Sequence, residues 1–361
     1  MISLCSITIT SETKADIIGS ALHSIRDIAD HMLLVHLTDP AIVPDKTLKI
    51  AYKIAGKKLL VYPTAIAGTN IAGWRNYGLI KAARTGADWA VMLDTDERLI
   101  LNGVDIHKTL EALPPDVDTV NVTSDDGAYH KPRFFRLPVK HAFKHGTHED
   151  WPGKMLVLDR VRFHELEKSP EVLKQRLQGD VEGLKAQMEK EPDNPRWSYL
   201  LAKTYEELDP DPLRAIPYYA ETVNLYGKDF AMRAWCSFRL AFCLRQVKQH
   251  EIALKACLQG LKFAPQHPEL SWLAGLLCYE MGMNKEAIAW ERMACALSWA
   301  LYPATDRVVP MYLAAYFEAP VEILSLAYTE LGQMEKANNA IDHVDILSKA
   351  RQTFATTGRL E

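Results

Sequence analysis

The segment Ala90-Val91-Met92-Leu93-Asp94-Thr95-Asp96-Glu97 sets three carboxylates directly behind an apolar run. Like charges a few ångströms apart raise one another's pKa, so three acids at the tip of a buried strand need a cation or open water. A divalent ion meets that need: Mg²⁺ or Mn²⁺ prefers oxygen ligands and is commonly held by one or two carboxylates together with substrate phosphates. The residues therefore raise the expectation of a metal and nucleotide site on Asp94 and Asp96, against the plainer possibility of an acidic turn. Arg75, ahead of this strand, can reach a phosphate or the carboxylates, and a simple salt bridge to Asp94 or Asp96 is the competing use.

Other chemistries find no footing. His148-Glu149 is followed by Asp150-Trp151-Pro152-Gly153, where Pro152 disfavours the helix that a zinc-protease motif requires. Neither a Gly-x-x-x-x-Gly-Lys-Ser/Thr loop nor a Gly-x-Gly-x-x-Gly turn occurs. Cys5, Cys236, Cys243, Cys257, Cys278 and Cys295 form no Cys-x-x-Cys pair and five of them fall in helical, apolar sequence. They read as small buried thiols of a reducing, cytoplasmic compartment.

Placing acids at a strand tip takes a sheet. Up to about Asp159, β-rich runs at Ser3–Ile9, Met32–Leu37, Lys58–Tyr62, Trp89–Leu93, Thr119–Thr123 and Met155–Asp159 alternate with helix-like stretches, clearest at Asp16–Asp30 and Ile71–Thr85. That alternation predicts an α/β domain over residues 1–170 with mainly parallel strands and a ligand crevice beyond their carboxyl ends. From about Val172 the pattern becomes helical to residue 361 and repeats. Ala202, Tyr205 and Ala215 recur as Ala241, Leu244 and Ala253, then as Gly275, Cys278 and Ala287, and finally as Ser325, Tyr328 and Ala337. The offset of 34 residues from 241 to 275 is the tetratricopeptide period, so residues 171–361 are expected as an α-solenoid. The wider gap before the last copy predicts an insert near Leu301–Pro320. Its aromatics Tyr302, Tyr312, Tyr316 and Phe317 are expected to pack in the core, with ligand contact the alternative.

Composition bounds these readings. The 361 residues are 48% apolar and 24% charged, which supports one core per domain and excludes a disordered chain. With 42 basic and 46 acidic residues the formal charge is −4, so a globally basic nucleic-acid coat is excluded. A local excess of ten Lys/Arg over six acids between Lys131 and Lys174 still admits an anionic partner. The first residues carry no secretory-leader pattern, and no run of 18 apolar residues that would span a membrane is expected.

Taken in order, Gly73-Trp74-Arg75-Asn76, the DWAVMLDTDE strand, Pro132-Arg133-Phe134-Phe135-Arg136, Gly146-Thr147-His148-Glu149 and Arg162-Phe163-His164 resemble the family 2 glycosyltransferases of the GT-A fold that carry C-terminal tetratricopeptide repeats. The resemblance covers most of the chain. It departs where the family has Lys-Asn-Glu and Asp-x-x-Ser-x-Asp; this sequence has Thr10-Ser11-Glu12 and His36-Leu37-Thr38-Asp39 there.

The resemblance implies a metal-dependent, inverting transfer from a nucleoside-diphosphate sugar. Thr8, Glu12, Asp39, Arg75, Asn76, Asp94 and Arg133 would hold the donor. Asp94, Asp96 and one of His148 and His164 would hold Mn²⁺ or Mg²⁺. Glu149 would act as general base, with Asp150 and Asp126 as substitutes. The acceptor is left open among a protein or peptide, a glycan and a modified DNA base. The competing reading is a non-catalytic scaffold in which a degenerate transferase domain serves the repeat array, favoured by the loss of the acid at His36. The solenoid offers a concave surface for a peptide and a means of homodimerisation.

Overall fold

The computed structural model describes residues 2–357 apart from 12, 13, 40, 42, 66–69, 126–128, 147, 209–211 and 302–310. The chain divides into two units, Met1–Val172 and Leu173–Glu361.

In the first unit the strands β1 (Leu4–Ser11), β2 (His31–Thr38), β3 (Leu59–Ala65), β4 (Trp89–Met92), β5 (Glu97–Ile100), β6 (Thr119–Ser124), β7 (His130–Arg136) and β8 (Met155–Glu165) form one sheet in the order β3-β2-β1-β4-β7-β6-β8-β5. Helices α1 (Ile18–Ile25), α2 (Thr47–Ala55), α3 (Ile71–Ala83) and α4 (Ile106–Glu111) lie between them in sequence. Side chains alternate along a strand, and the two faces feed separate cores. Trp89, Val91 and Leu93 join the α1 and α4 side, together with Met32, Leu34 and Ile25. Ala90 and Met92 join Cys5, Ile7, Val35 and the α3 residues Leu79 and Ala82 on the other. Helix α3 starts where the Asn70 side chain accepts a hydrogen bond from the Gly73 N–H at 2.9 Å, which satisfies a donor the helix leaves open.

The expectation of mainly parallel strands is corrected to a mixed sheet. β1, β2, β3 and β4 run parallel, and so do β6 and β8, whereas β4–β7, β6–β7 and β5–β8 pair antiparallel. The link between β6 and β7 is too short for a parallel crossover, which needs about a dozen residues. Strands β5 and β7 were absent from the sequence reading of β-rich runs.

The link from β4 to β5 also sets the shape of the sheet. Four strand steps separate them, about 19 Å in a flat sheet. Only Leu93 to Asp96 join them, a reach of about 18 Å at full stretch. The sheet therefore curls, and its concave side brings β5, β7 and β8 around the Asp94–Asp96 link.

The second unit is helical and resembles a tetratricopeptide-like solenoid: α5 (Pro170–Lys190), α6 (Pro195–Leu208), α7 (Ile216–Leu225), α8 (Phe230–Gln246), α9 (His250–Phe263), α10 (Pro268–Glu280), α11 (Asn284–Leu301), α12 (Glu318–Glu330) and α13 (Met334–Thr357). The repeat positions Ala202, Ala215, Ala241, Ala253, Ala287 and Ala337 are buried where helices approach. Three of the turns share one device. Gln249, Met283 and Gln333 each donate a backbone hydrogen bond to the carbonyl five residues back, on Leu244, Cys278 and Tyr328, at 2.8–2.9 Å. The residues before them, Lys248, Gly282 and Gly332, have φ of 60°, 75° and 69°. This is the helix-ending arrangement that favours glycine.

Of the insert aromatics, Tyr302 lies outside the described residues. Tyr312 stacks on Trp272 with centroids 5.0 Å apart, Tyr316 donates to Glu269 at 3.0 Å, and Phe317 packs on Phe354.

A side chain in the left-handed region costs about 1–2 kcal/mol, part of which glycine returns through its freer unfolded chain. Lys248→Gly is therefore expected to stabilise the protein by roughly 0.5–1 kcal/mol in urea unfolding. Gly282→Ala, with nothing within 4 Å of the added carbon, is expected to destabilise it by about 1 kcal/mol.

Candidate functional site

Asp94 and Asp96 leave the end of β4 and enter a web of ion pairs. Arg75, projecting from α3, reaches Asp94 at 3.0 Å and Glu149 at 2.7 Å. Arg133, on β7, reaches Asp94 at 3.2 Å and also pairs with Glu97 on β5. Arg133 and Glu97 are 1% and 0% exposed, so this pair lies out of water. Lys131, two residues earlier and hence on the same face of β7, bridges Glu97 and Glu165, each at 2.8 Å. Lys168 bridges Asp96 at 2.8 Å and Glu165.

Charge within the web is balanced locally. Burial alone would raise the Asp94 carboxyl, but the charges of Arg75, Arg133 and Lys131 outweigh it and hold it at about 2. Glu165 is held below the usual carboxylate range by hydrogen bonds from Lys131, Lys168 and Tyr129 that overcome its burial. Arg133 is held above its ordinary value, because Glu97 and Asp94 more than offset its desolvation.

The remaining sequence candidates scatter. Asn76 exchanges two hydrogen bonds with the Phe143 backbone, at 2.8 and 2.9 Å, and fixes the following loop to α3. Thr8 is buried in β1. Asp39 accepts from the Ala41 N–H at 2.9 Å, a local turn. Asp150 is exposed and pairs through its backbone with Lys144. His164 contacts Asp125 instead of the Asp94–Asp96 link, and His148 sits in a left-handed turn with φ 47°. Glu12 and Asp126 lie outside the described residues. Trp151 packs against Phe135 and Phe143 and donates to Thr119 at 2.6 Å.

Asp94 and Asp96 are thus engaged by basic side chains of the same unit. Among the described residues no group of three or more His, Cys, Asp or Glu side chains is placed to hold a metal. An ion at Asp94 and Asp96 would displace Arg75, Arg133 and Lys168 from them and leave these cations to Glu149, Glu97 and Glu165.

Sequence reasoning missed a second feature, in the helical unit. A cleft of about 500 Å³ opens between α6 and α8, lined by Tyr199, Lys203, Glu206, Trp235, Arg239 and Phe242 among others. The spacing of Trp235, Arg239, Phe242 and Gln246 by four, three and four residues puts them on one helical face, a signal present in the sequence. Arg239 pairs with Glu206, which also accepts from the Tyr219 hydroxyl, and Trp235 Nε1 donates to the Tyr199 hydroxyl at 3.2 Å.

No protein-family model matches the chain, and no curated protein matches it. Solved structures to which it is similar include a crystal structure of MamA, at 16% identity over 52% of this chain and 99% of that one, with a TM-score of 0.40. A MamA RS-1 double mutant gives 16% identity, 50% and 93% coverage and a TM-score of 0.40. MamA from Desulfovibrio magneticus RS-1, beginning at its residue 41, gives 17%, 49%, 92% and 0.39.

The ion pairs of the first unit correct the expectation of a GT-A glycosyltransferase. The acids meant for metal and for base catalysis, Asp94, Asp96 and Glu149, are already bound to the protein's own cations.

Arg133→Met is expected to cost about 3 kcal/mol in chemical denaturation, because it leaves the buried Glu97 with Lys131 as its remaining cation and takes a partner from Asp94. Arg133→Met with Glu97→Leu is expected to recover most of that loss. The depressed Asp94 carboxyl contributes stability at neutral pH that disappears as pH falls from about 4 to about 2. Comparing the acid unfolding of wild type and Asp94→Asn should show a difference of about 2 kcal/mol that vanishes over that window.

Proposed function

We propose that the chain is a non-catalytic scaffold whose helical repeats take up a peptide segment of a partner protein in the cleft between α6 and α8. The observation that carries this reading is the cleft itself: Tyr199, Trp235 and Phe242 stand beside Arg239, Glu206 and Lys203 on consecutive repeats. Tryptophan, tyrosine and arginine are the residues that dominate protein recognition, since they offer broad apolar area with polar ends. The internally neutralised acids of the first unit support the same reading by leaving no vacant carboxylate pair at the β4 tip.

Two further parts of the proposal rest on separate observations. Copies of the chain associate through the helical half, supported by the exposed apolar side chains Ile341 and Ile346 on α13 and Leu326 on α12. The six free thiols fit a cytoplasmic setting. Among the described residues no helix is long and apolar enough to cross a membrane.

Selection from a displayed random-peptide library is expected to enrich one sequence class. Phe242→Ala should weaken its binding about tenfold or more in fluorescence anisotropy, the equivalent of about 1.4 kcal/mol. Failure to enrich, or enrichment indifferent to Phe242→Ala and Lys203→Glu, would overturn the cleft assignment. UDP- and GDP-sugars with Mn²⁺ are expected to give no thermal stabilisation. A bound donor at a hundred times its Kd would add about 2.7 kcal/mol, and such a shift, lost in Asp96→Ala, would refute the non-catalytic reading. Sedimentation of wild type against Ile341→Lys with Ile346→Lys tests the association.

A further inference from the structure

Five carboxylates among the described residues are buried: Glu97, Asp118, Glu269, Glu291 and Glu318. Four have a basic partner, Arg133 for Glu97, His141 for Asp118, His267 for Glu269 and Arg351 for Glu318. Glu291, on α11, differs. It is 0% exposed, and both its oxygens are buried with no hydrogen-bond partner among the described residues.

The protein has made room for this carboxyl. Opposite it on α10 stands Gly275, where an added Cβ would lie 2.3 Å from Glu291 Oε1 and 2.6 Å from its Cδ. The glycine is required by that close approach, since its helical backbone suits any residue. The repeat offset of 34 sets Glu291 in register with Cys257 of α9, so a carboxyl occupies the place of a small apolar thiol. An ionised carboxylate cannot be held there without a partner, and such a group takes up a proton instead. Burial is indeed the sole cause that drives its pKa well above the ordinary carboxylate value.

Among the described residues its ionisable neighbours include two thiols. Cys278 on α10 and Cys295 on α11 are both pushed up to about 11, by burial first; at Cys278 Glu286 and then Glu291 add to it, and at Cys295 Glu291 does. Helix α11 also packs on α12 and on the short turn Leu313–Tyr316. Of their ionisable groups, Glu318 pairs with Arg351 and Tyr316 with Glu269. Glu322, Tyr328 and Glu330 make no described hydrogen bond or ion pair with Glu291.

We propose that Glu291 is a proton-controlled joint of the helical array: its carboxyl packs as a neutral acid between α10 and α11, and its ionisation separates those two helices. The sign follows from linkage. Once pH exceeds the ordinary carboxyl value, the open form releases a proton that the closed form retains. Opening then becomes up to tenfold more favourable per pH unit, until the closed form itself ionises.

The test is alkylation of Cys278, followed by mass spectrometry in the full chain from pH 6 to 9, in wild type and Glu291→Gln. Dividing the two rates at each pH removes the titration the two proteins share, and the charge of Glu291, which raises the Cys278 thiol, acts only to lower the ratio. The expected ratio climbs with pH, by up to tenfold per unit, and hydrogen exchange of α10 and α11 amides follows it. A ratio independent of pH would overturn the proposal. So would the lack, at pH 7, of a carboxylic-acid carbonyl band that disappears in Glu291→Gln. Should the glutamine variant fail to fold, Glu291→Met provides the same comparison.

Discussion

Arg133 is the pivot of the first unit. A guanidinium on β7 that is almost wholly out of water holds Glu97 on β5 and Asp94 behind β4, and so joins strands four steps apart in the sheet. Such a group is tolerable only because its donors meet carboxylates from both sides; alone it would be among the costliest side chains to bury. The short β4–β5 link forces the curl, the curl crowds acids together, and Arg75, Lys131 and Lys168 complete the neutralisation that Arg133 begins. Acids that look poised for a metal in the sequence are thereby committed to holding the sheet in shape.

In the helical unit the corresponding constraint is close approach. Alanines at the repeat positions let paired helices touch, and a shared hydrogen-bonding turn closes three of the hairpins with the same geometry. Lys248 shows that the geometry outranks residue preference, since it adopts a conformation that two related turns assign to glycine. Glu291 shows the reverse case, a polar group admitted to an apolar contact because a glycine across the interface was available to receive it.

Much of the architecture was legible in sequence. Strands β1, β2, β4 and β6 and helix α3 follow from alternation and helical spacing, and the repeats follow from the 34-residue offset. Strands β5 and β7 were harder, because both carry charged residues whose partners lie far away in the chain. Arg98 on β5 and Lys131 and Arg133 on β7 break the apolar pattern that marks a buried strand. The alternation of Lys131 and Arg133 was visible, but it signals a basic face without saying what opposes it. Trp235, Arg239 and Phe242 likewise declared a face of α8, while the cleft needed α6 beside it.

The sequence by itself determined which residues are apolar at which period, and hence the elements other than β5 and β7 that such a period marks, and the stacking of helix pairs. Local spacing suffices for these because each depends on neighbours within a few turns. Whether Asp94, Asp96 and Glu149 were vacant ligands or spent partners was decided only by tertiary structure. That outcome depends on how near Arg75, Arg133 and Lys168 come. Their approach is set by strand order and curl, quantities that no spacing along the chain encodes.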